Sequence, residues 1–161
     1  MIILLMGVAG SGKTTIGRLL AAELGWSFRD ADDFHPPANI AKMAAGHPLT
    51  DTDRSPWLAA IRTHIDVCLA RGENAVLTCS ALKDSYRRTV MADPARVKLV
   101  HLNGDFALIL QRLGRRQDHF MKETMLQSQF EALEPPRDAL ILDVAQPPEK
   151  LVADIRTAFG L

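Results

Sequence analysis

The chain has 161 residues, of which 47% are hydrophobic and 24% are charged. This is the composition of a globular protein rather than a disordered or fibrous one, and the length fits one domain. Nineteen basic residues balance nineteen acidic ones, so the net charge gives no overall field that would attract nucleic acid or an anionic membrane. We expect a single domain, residues 1–161, that binds neither.

Cysteine usage and hydropathy indicate the cellular compartment. Cys68 and Cys79 form no CxxC pair and no spacing typical of metal ligands, which favours reduced thiols in a cytoplasmic protein. The apolar start, MIILLMGV, lacks the basic segment of a signal peptide. No run approaches the roughly 18 apolar residues that a membrane span needs. We therefore expect a cytoplasmic protein.

Apolar runs alternate with helical patterns along the chain, which predicts an α/β fold with a parallel sheet. Residues 2–6 form a continuous apolar run, typical of a central strand buried on both faces. Further strands are predicted at 26–30, 75–79, 97–102 and 139–144, and helices at 13–24, 36–46, 53–71, 106–113, 122–133 and 148–159. The polar stretch 114–121, GRRQDHFM, has no periodicity and is predicted to be an exposed, mobile segment between two helices.

A phosphate-binding loop is predicted at residues 7–15, GVAGSGKTT, which match the pattern G-x-x-x-x-G-K-[ST]. Glycines let the backbone curl so that successive N–H groups point at phosphate oxygens, at the positive end of the following helix. Lys13 supplies a positive charge to the outer phosphates, and the Thr14 hydroxyl can ligate Mg²⁺. The predicted nucleotide-binding residues are Gly7, Val8, Ala9, Gly10, Ser11, Gly12, Lys13, Thr14 and Thr15.

A dinucleotide-binding motif does not account for this loop. Counted from Gly10 and Gly12, the third glycine of such a motif would fall where Thr15 stands. A purely structural glycine turn would not explain Lys13 and Thr14. The sequence therefore predicts binding of a nucleoside triphosphate.

Three carboxylates lie in the stretch 30–36, DADDFHP. A calcium loop starting at Asp30 would need ligands or a glycine where Phe34, His35 and Ala41 stand. A zinc site is disfavoured because His35 has no histidine or cysteine partner at a recognised spacing. A solvated turn stays open on composition alone, since Asp and Pro are common in loops.

The phosphate-binding loop upstream favours a catalytic interpretation of the same stretch. Asp30 and Asp32 stand two residues apart at the end of a strand expected beside that loop, so both side chains should project to one face. Phosphoryl transfer needs an acceptor hydroxyl held in line with the γ-phosphate, and a carboxylate can orient it and take its proton. We predict this role for Asp32. Asp30 is predicted to hold a water on Mg²⁺, because the third predicted strand, 75–79, ends in Thr78-Cys79-Ser80 without the acid that usually stands there.

Several longer stretches carry a resemblance to a known family: GVAGSGKT, DADDFHPPANIAKMAAGHPLTDTDRSPWL, CSALKDSYR, RRQDHFMK, SQFEALEPP and DVAQPPE. They resemble the gluconate kinases (gluconokinases) among the P-loop small-molecule kinases, nearly end to end. The second stretch is the specific one, because many families share a phosphate-binding loop. The resemblance implies a P-loop NTPase fold similar to that of shikimate kinases, with a five-stranded parallel sheet, helices on both faces and a mobile lid around 114–133.

The same resemblance implies an activity and its cofactors. ATP and Mg²⁺ would serve transfer of the γ-phosphoryl group to the 6-hydroxyl of D-gluconate, giving 6-phospho-D-gluconate and ADP. This reaction would feed the pentose phosphate or Entner–Doudoroff route. The resemblance also suggests a homodimer.

Further site residues follow from the resemblance. It places Asp32 and His35 near the substrate, Arg54 on the sugar-acid carboxylate, and Lys83 and Arg87 as additional substrate contacts. In the lid, Arg116 would reach the transferring phosphoryl group; Arg112 would stack on adenine, and Gln146 would border the base. Plainer interpretations stay open: Arg54 bridging Asp51 or Asp53, Arg112 and Arg116 in a solvated helix end, and His35 as a packing residue.

The chain departs from the family pattern in the lid, where Asp118 precedes His119 and Phe120 in place of the usual glycine. This departure affects lid flexibility and local charge rather than the chemistry. Shikimate as the substrate is disfavoured, because Ser80, Ala81 and Leu82 replace the glycine triplet expected after the third strand. A kinase for another sugar acid, or a nucleotide switch without transfer chemistry, are the alternatives.

Overall fold

A computed structural model describes residues 1–91, 93–114 and 123–161. Its centre is a five-stranded sheet with the order β2-β3-β1-β4-β5, in which all neighbouring strands run parallel. The strands are β1 (Ile2–Met6), β2 (Ser27–Asp30), β3 (Ala75–Thr78), β4 (Val97–Asn103) and β5 (Leu140–Asp143). The predicted α/β class with a five-stranded parallel sheet is confirmed.

Helices cover both faces of this sheet. They are α1 (Lys13–Leu24), α2 (Pro37–Ala44), α3 (Asp51–Ala70), α4 (Asp84–Val90), α5 (Phe106–Gly114), α6 (Glu123–Ala132) and α7 (Pro148–Phe159), with a 3₁₀ turn at Ala31–Phe34. Helices α3 and α4 contribute to one buried cluster, whereas α1, α5, α6 and α7 contribute to the other. No helix in the described ranges is long and apolar enough to cross a membrane.

The apolar run of β1 is buried because its side chains pack in the hydrophobic clusters on both faces of the sheet. Ile2, Leu4 and Met6 belong to the α3 side, and Ile3 and Leu5 belong to the α1 side, as the two-residue period of a strand requires. All five side chains are fully buried. Truncating such a side chain to alanine costs about 2–5 kcal/mol, so this strand fixes the position of whatever follows it.

The ends of several elements differ from the sequence predictions. Helix α3 begins at Asp51, not at residue 53, because Thr50 and Asp53 cap each other through both side chains. Helix α4 was not predicted; its seven residues, DSYRRTV, carry too few apolar positions for a helical period. The predictions for 115–122, the first part of the expected lid after Gly114, lie outside the described residues.

Candidate active site

The loop between β1 and α1 has the backbone shape of a phosphate cradle. Gly10 and Gly12 have φ values of 81° and 92°, a region that residues with a Cβ rarely adopt. A Cβ on Gly7 would lie 2.7 Å from the carbonyl oxygen of Leu102 on β4. The loop therefore needs its glycines both for its curl and for its close approach to the sheet, and it leads directly into the N-terminus of α1.

Lys13 and Thr14 open helix α1 with their side chains turned to different partners. The Lys13 ammonium donates to the carbonyl oxygens of Gly7 and Val8, at 2.9 Å each. The Thr14 hydroxyl donates to Asp30 Oδ2 at 3.1 Å. Two side-chain oxygens thus lie together beside the cradle, which suits the few protein oxygens that Mg²⁺ takes when phosphates and waters complete its shell.

Asp30 reaches the cradle although its strand is not the direct neighbour of β1. In the sheet, β3 lies between β1 and β2. Helix α1 crosses β3 on its way to β2, as right-handed crossovers in parallel sheets do. Asp30 therefore meets Thr14 at the start of the crossover helix.

Asp32 lies beside Asp30, although not for the predicted reason. Strand β2 ends at Asp30 and a 3₁₀ turn follows, so the two-residue period of a strand does not hold here. Instead, the side chain of Asp30 caps the turn by accepting from the Asp32 backbone N–H at 3.2 Å. The two carboxylates stay near each other, and the Asp32 side chain is 85% exposed at the open end of the sheet. Asp33 is exposed as well.

The environment of Asp32 favours a proton acceptor. The protein atoms around the carboxyl raise its pKa above the ordinary value, and the negative charge of Asp30 raises it further. His35 and Lys13 act in the opposite direction. A raised carboxyl pKa makes the group a better base, which fits the role predicted for it.

His35 packs inside the structure next to this carboxylate. Its ring stacks on Trp57 with centroids 4.5 Å apart and planes 9° apart, and its side chain is only 7% exposed. Burial lowers the pKa of His35, Asp32 opposes that change, and Arg54 adds to it. The imidazole is therefore expected to be neutral near pH 7.

A second group of polar side chains joins the N-terminus of α3 to α4. Lys83 donates to both oxygens of Asp51 at 3.0 Å, and the Tyr86 hydroxyl donates to the same carboxylate. Arg54 lies 5.8 Å above the Tyr86 ring and donates to the Leu49 carbonyl at 3.0 Å. The structure thus brings two predicted substrate residues, Arg54 and Lys83, to one aromatic side chain.

The fifth predicted substrate residue, Arg87, is placed differently. Its side chain is 6% exposed, and the guanidinium donates to the carbonyl oxygens of Ala81 and Leu82 at 3.0 and 2.9 Å. Ala81 has a φ of 43°, so this arginine holds a strained turn after β3. The contacts give Arg87 a part in shaping the loop beside the cradle, and direct contact with a substrate stays a prediction.

The other side of the cradle forms a cleft that matches the predicted nucleotide residues. Its lining includes Gly12, Thr15, Arg112, Val144 and Gln146. Arg112 donates to the Val144 carbonyl oxygen at 2.6 Å, which holds its planar guanidinium beside the loop before α7. The cleft thus brings together predicted nucleotide-binding residues from widely separated parts of the chain.

Comparisons with known proteins agree with this geometry. The shikimate kinase family model matches residues 9–150. A gluconokinase of Gluconobacter oxydans is 46% identical over 84% of this chain and 76% of its own length. The chain belongs to the gluconokinase family. The thermoresistant gluconokinase of Escherichia coli is 41% identical over 94% of this chain and 89% of its own.

A solved structure supports the same family membership. The crystal structure of a gluconokinase from Sinorhizobium meliloti superposes with a TM-score of 0.83 at 44% identity, covering 94% of this chain and 87% of that one. The predicted P-loop kinase fold and the resemblance to the gluconokinase family are both confirmed. Arg116, the remaining catalytic residue that the family likeness implied, lies outside the described residues.

Sequence reasoning missed two residues that the gluconokinase fold brings to the site. Gln129 on α6 accepts a hydrogen bond from the Ala9 backbone N–H of the cradle at 2.7 Å. Asn39 on α2 is 4% exposed and contacts His35. Both stand inside the stretches that carried the family resemblance, but their tasks depend on contacts between distant segments.

Proposed function

We propose that this chain is a gluconokinase that transfers the γ-phosphoryl group of ATP to the 6-hydroxyl of D-gluconate. The products are 6-phospho-D-gluconate and ADP. The observation that carries the proposal is that Asp30 accepts hydrogen bonds both from Thr14 beside the phosphate cradle and from the backbone N–H of Asp32, whose exposed carboxylate is thereby held near the cradle. Family membership selects the substrate, since the curated relatives at 41–46% identity are gluconokinases.

The nucleotide is held by the backbone of residues 7–15, with its base toward Arg112 and Gln146. Lys13 turns from the carbonyl oxygens of the loop toward the outer phosphates, where its charge offsets the charge on the transferring group. Bound Mg²⁺ would neutralise phosphate charge, and Thr14 and Asp30 would hold it, directly or through water. The 3.1 Å approach of their oxygens supports this assignment.

The acceptor hydroxyl lies between Asp32 and the γ-phosphate. A bond forms between the 6-oxygen and phosphorus, while the bond from phosphorus to the bridging β,γ-oxygen breaks and ADP leaves with the electron pair. The proton of the hydroxyl passes to Asp32. Arg116 is proposed to approach the transferring group from the lid.

The far end of the sugar acid is proposed to meet the cluster of Asp51, Arg54, Lys83 and Tyr86. A guanidinium can bind a carboxylate through two parallel hydrogen bonds, so Arg54 is the favoured partner. Lys83 is already paired with Asp51, and its contribution to the substrate carboxylate is the weaker one. Arg87, which bonds to the carbonyl oxygens of Ala81 and Leu82, is proposed to shape the same part of the pocket.

An ADP-release assay tests the function. We expect Mg²⁺-dependent ADP formation with D-gluconate and little with other six-carbon sugar acids or shikimate. Turnover of another sugar acid but not gluconate would favour the alternative kinase, and no acceptor-dependent turnover would refute the proposal. We also propose a cytoplasmic homodimer on the family likeness alone, and light scattering with size-exclusion chromatography checks the dimer.

A further inference from the structure

The His35 ring is held in place by a stack on one of its faces. It stacks on Trp57, whose indole N–H in turn donates to the Ala31 carbonyl oxygen at 2.7 Å. Trp57 is 3% exposed. Because Ala31 opens the 3₁₀ turn that carries Asp32, the indole ties the turn, the imidazole and helix α3 into one rigid unit.

Asn39 determines which imidazole nitrogen carries the proton. The side-chain nitrogen of Asn39 lies 2.8 Å from the Asp53 carbonyl oxygen, and a carbonyl oxygen can only accept a hydrogen bond. This contact fixes the orientation of the amide. The same nitrogen lies 3.3 Å from His35 Nδ1, so its second hydrogen points at that atom. Nδ1 must therefore accept, and the proton of the neutral ring resides on Nε2.

The protonated nitrogen faces the proposed base. Nε2 of His35 lies 3.9 Å from Asp32 Oδ1, which is beyond hydrogen-bond length. The Asp32 side chain is 85% exposed, so a small rotation of this carboxylate is unhindered by packing, whereas the imidazole is held in place. Closing the gap is thus a movement of Asp32 toward a fixed donor.

We propose that His35 is a positioning residue for Asp32: its Nε2–H, fixed by Asn39, binds one carboxylate oxygen and leaves the other directed at the acceptor hydroxyl. This inference rests on the proposed function and assigns His35 a task other than contact with the sugar acid. Reactions of this type depend on alignment, and a misplacement of about 1 Å can cost roughly 10²-fold in rate. A freely rotating carboxylate would meet that requirement only part of the time.

The surrounding charges agree with a neutral imidazole in this role. Arg54 is the charged group on α3 that disfavours protonation of His35, and the neighbouring carboxylate favours it. Protonation at Nδ1 would place two donors, the imidazole N–H and the Asn39 amide, against each other. The contact with Asn39 therefore resists protonation of the ring by geometry as well as by charge.

Two substitutions separate positioning from packing. His35→Phe keeps an aromatic ring against Trp57 and removes both nitrogens, and His35→Gln restores a side-chain N–H at about the height of Nε2. We expect kcat to fall on the order of 10²-fold in His35→Phe with KM for ATP unchanged. The kcat of His35→Gln should be about tenfold higher than that of His35→Phe. An unchanged kcat in His35→Phe, or a rise in KM for gluconate with kcat intact, would overturn the proposal.

The tautomer has a readout independent of turnover. Nitrogen NMR of the histidine-labelled wild-type protein distinguishes a protonated from an unprotonated ring nitrogen, and His35→Gln identifies the His35 signals by their loss. We expect Nε2 protonated and Nδ1 unprotonated near pH 7; the reverse would refute the inference. Absence of gluconate turnover in the wild-type protein would instead refute the proposed function, and the tautomer would still decide the assignment made for Asn39 and His35.

Discussion

Gln129 and Ala9 are joined by a 2.7 Å hydrogen bond from the backbone N–H of Ala9 to Gln129 Oε1, across 120 positions of sequence. Ala9 belongs to the phosphate cradle, and Gln129 belongs to α6, the helix that follows residues 115–122. Helix α6 is anchored in the core by the fully buried Leu126 and by an edge-on contact between Phe130 and Phe106. The bond therefore connects the predicted lid region to the loop that is proposed to bind phosphate.

Removing this bond should weaken use of ATP. We predict that Gln129→Leu lowers kcat/KM for ATP by about tenfold, the effect of losing one hydrogen bond worth about 1.4 kcal/mol. Gln129→Glu should lose more, because it keeps an acceptor but adds a negative charge beside the phosphates. The matched control is Gln127→Leu, whose side chain bonds only to Glu131 on the exposed face of the same helix among the contacts described. Equal effects at both positions would contradict a role for the Ala9 contact.

The carboxylate of Asp32 is expected to control turnover rather than nucleotide binding. Asp32→Asn keeps the size of the side chain but removes the proton acceptor, and we predict a loss of kcat of about 10²–10⁴-fold. Binding of ATP, measured by calorimetry, should change little. Asp33→Asn, an exposed neighbour in the same turn, is the control and should keep normal turnover. A fully active Asp32→Asn enzyme would exclude this carboxylate as the base.

Asp30 and Thr14 are expected to affect the metal requirement. Asp30→Asn removes a charge from the oxygen pair beside the cradle, so more Mg²⁺ should be needed for half-maximal rate at fixed ATP. Raised Mg²⁺ should recover much of the loss, which would not occur for Asp32→Asn. Titration of the initial rate with Mg²⁺ measures both. A rate that falls equally at all Mg²⁺ concentrations would point to a structural role for Asp30 in capping the 3₁₀ turn.

Local patterns in the sequence predicted most of the fold and the loop between β1 and α1. Strand β1 and helices α1 and α7 were predicted at their observed bounds, because a buried strand has a continuous apolar run and each helix has a glycine or proline at an end. The cradle was predicted because its chemistry lies within nine consecutive residues.

What the sequence did not provide depends on contacts between distant segments. The place of β3 between β1 and β2 follows from the crossover of α1, which no local pattern encodes. Gln129 reaches Ala9 only because α6 packs in the same buried cluster as α1. The burial of Arg87 was not predicted, because helix α4, on which it lies, was not predicted. Asn39 looks like an ordinary polar helix residue until Asp53 and His35 are seen on either side of it.

Acid stability provides a test of the junction between α2 and α3. Asp53 accepts hydrogen bonds from Lys42 and from the backbone and hydroxyl of Thr50, which lower its pKa to about 2. A carboxyl whose folded pKa lies below its unfolded value of about 3.9 stabilises the fold fully above that value, and this stabilisation is lost as the pH falls toward the folded pKa. We therefore predict that Asp53→Asn lowers the melting temperature near pH 6 and flattens its decline between about pH 4 and pH 2. Lys42→Met should reproduce only part of both effects, because Thr50 still bonds to the carboxylate. If the decline of the melting temperature between about pH 4 and pH 2 were unchanged in both variants, this junction would not control acid unfolding.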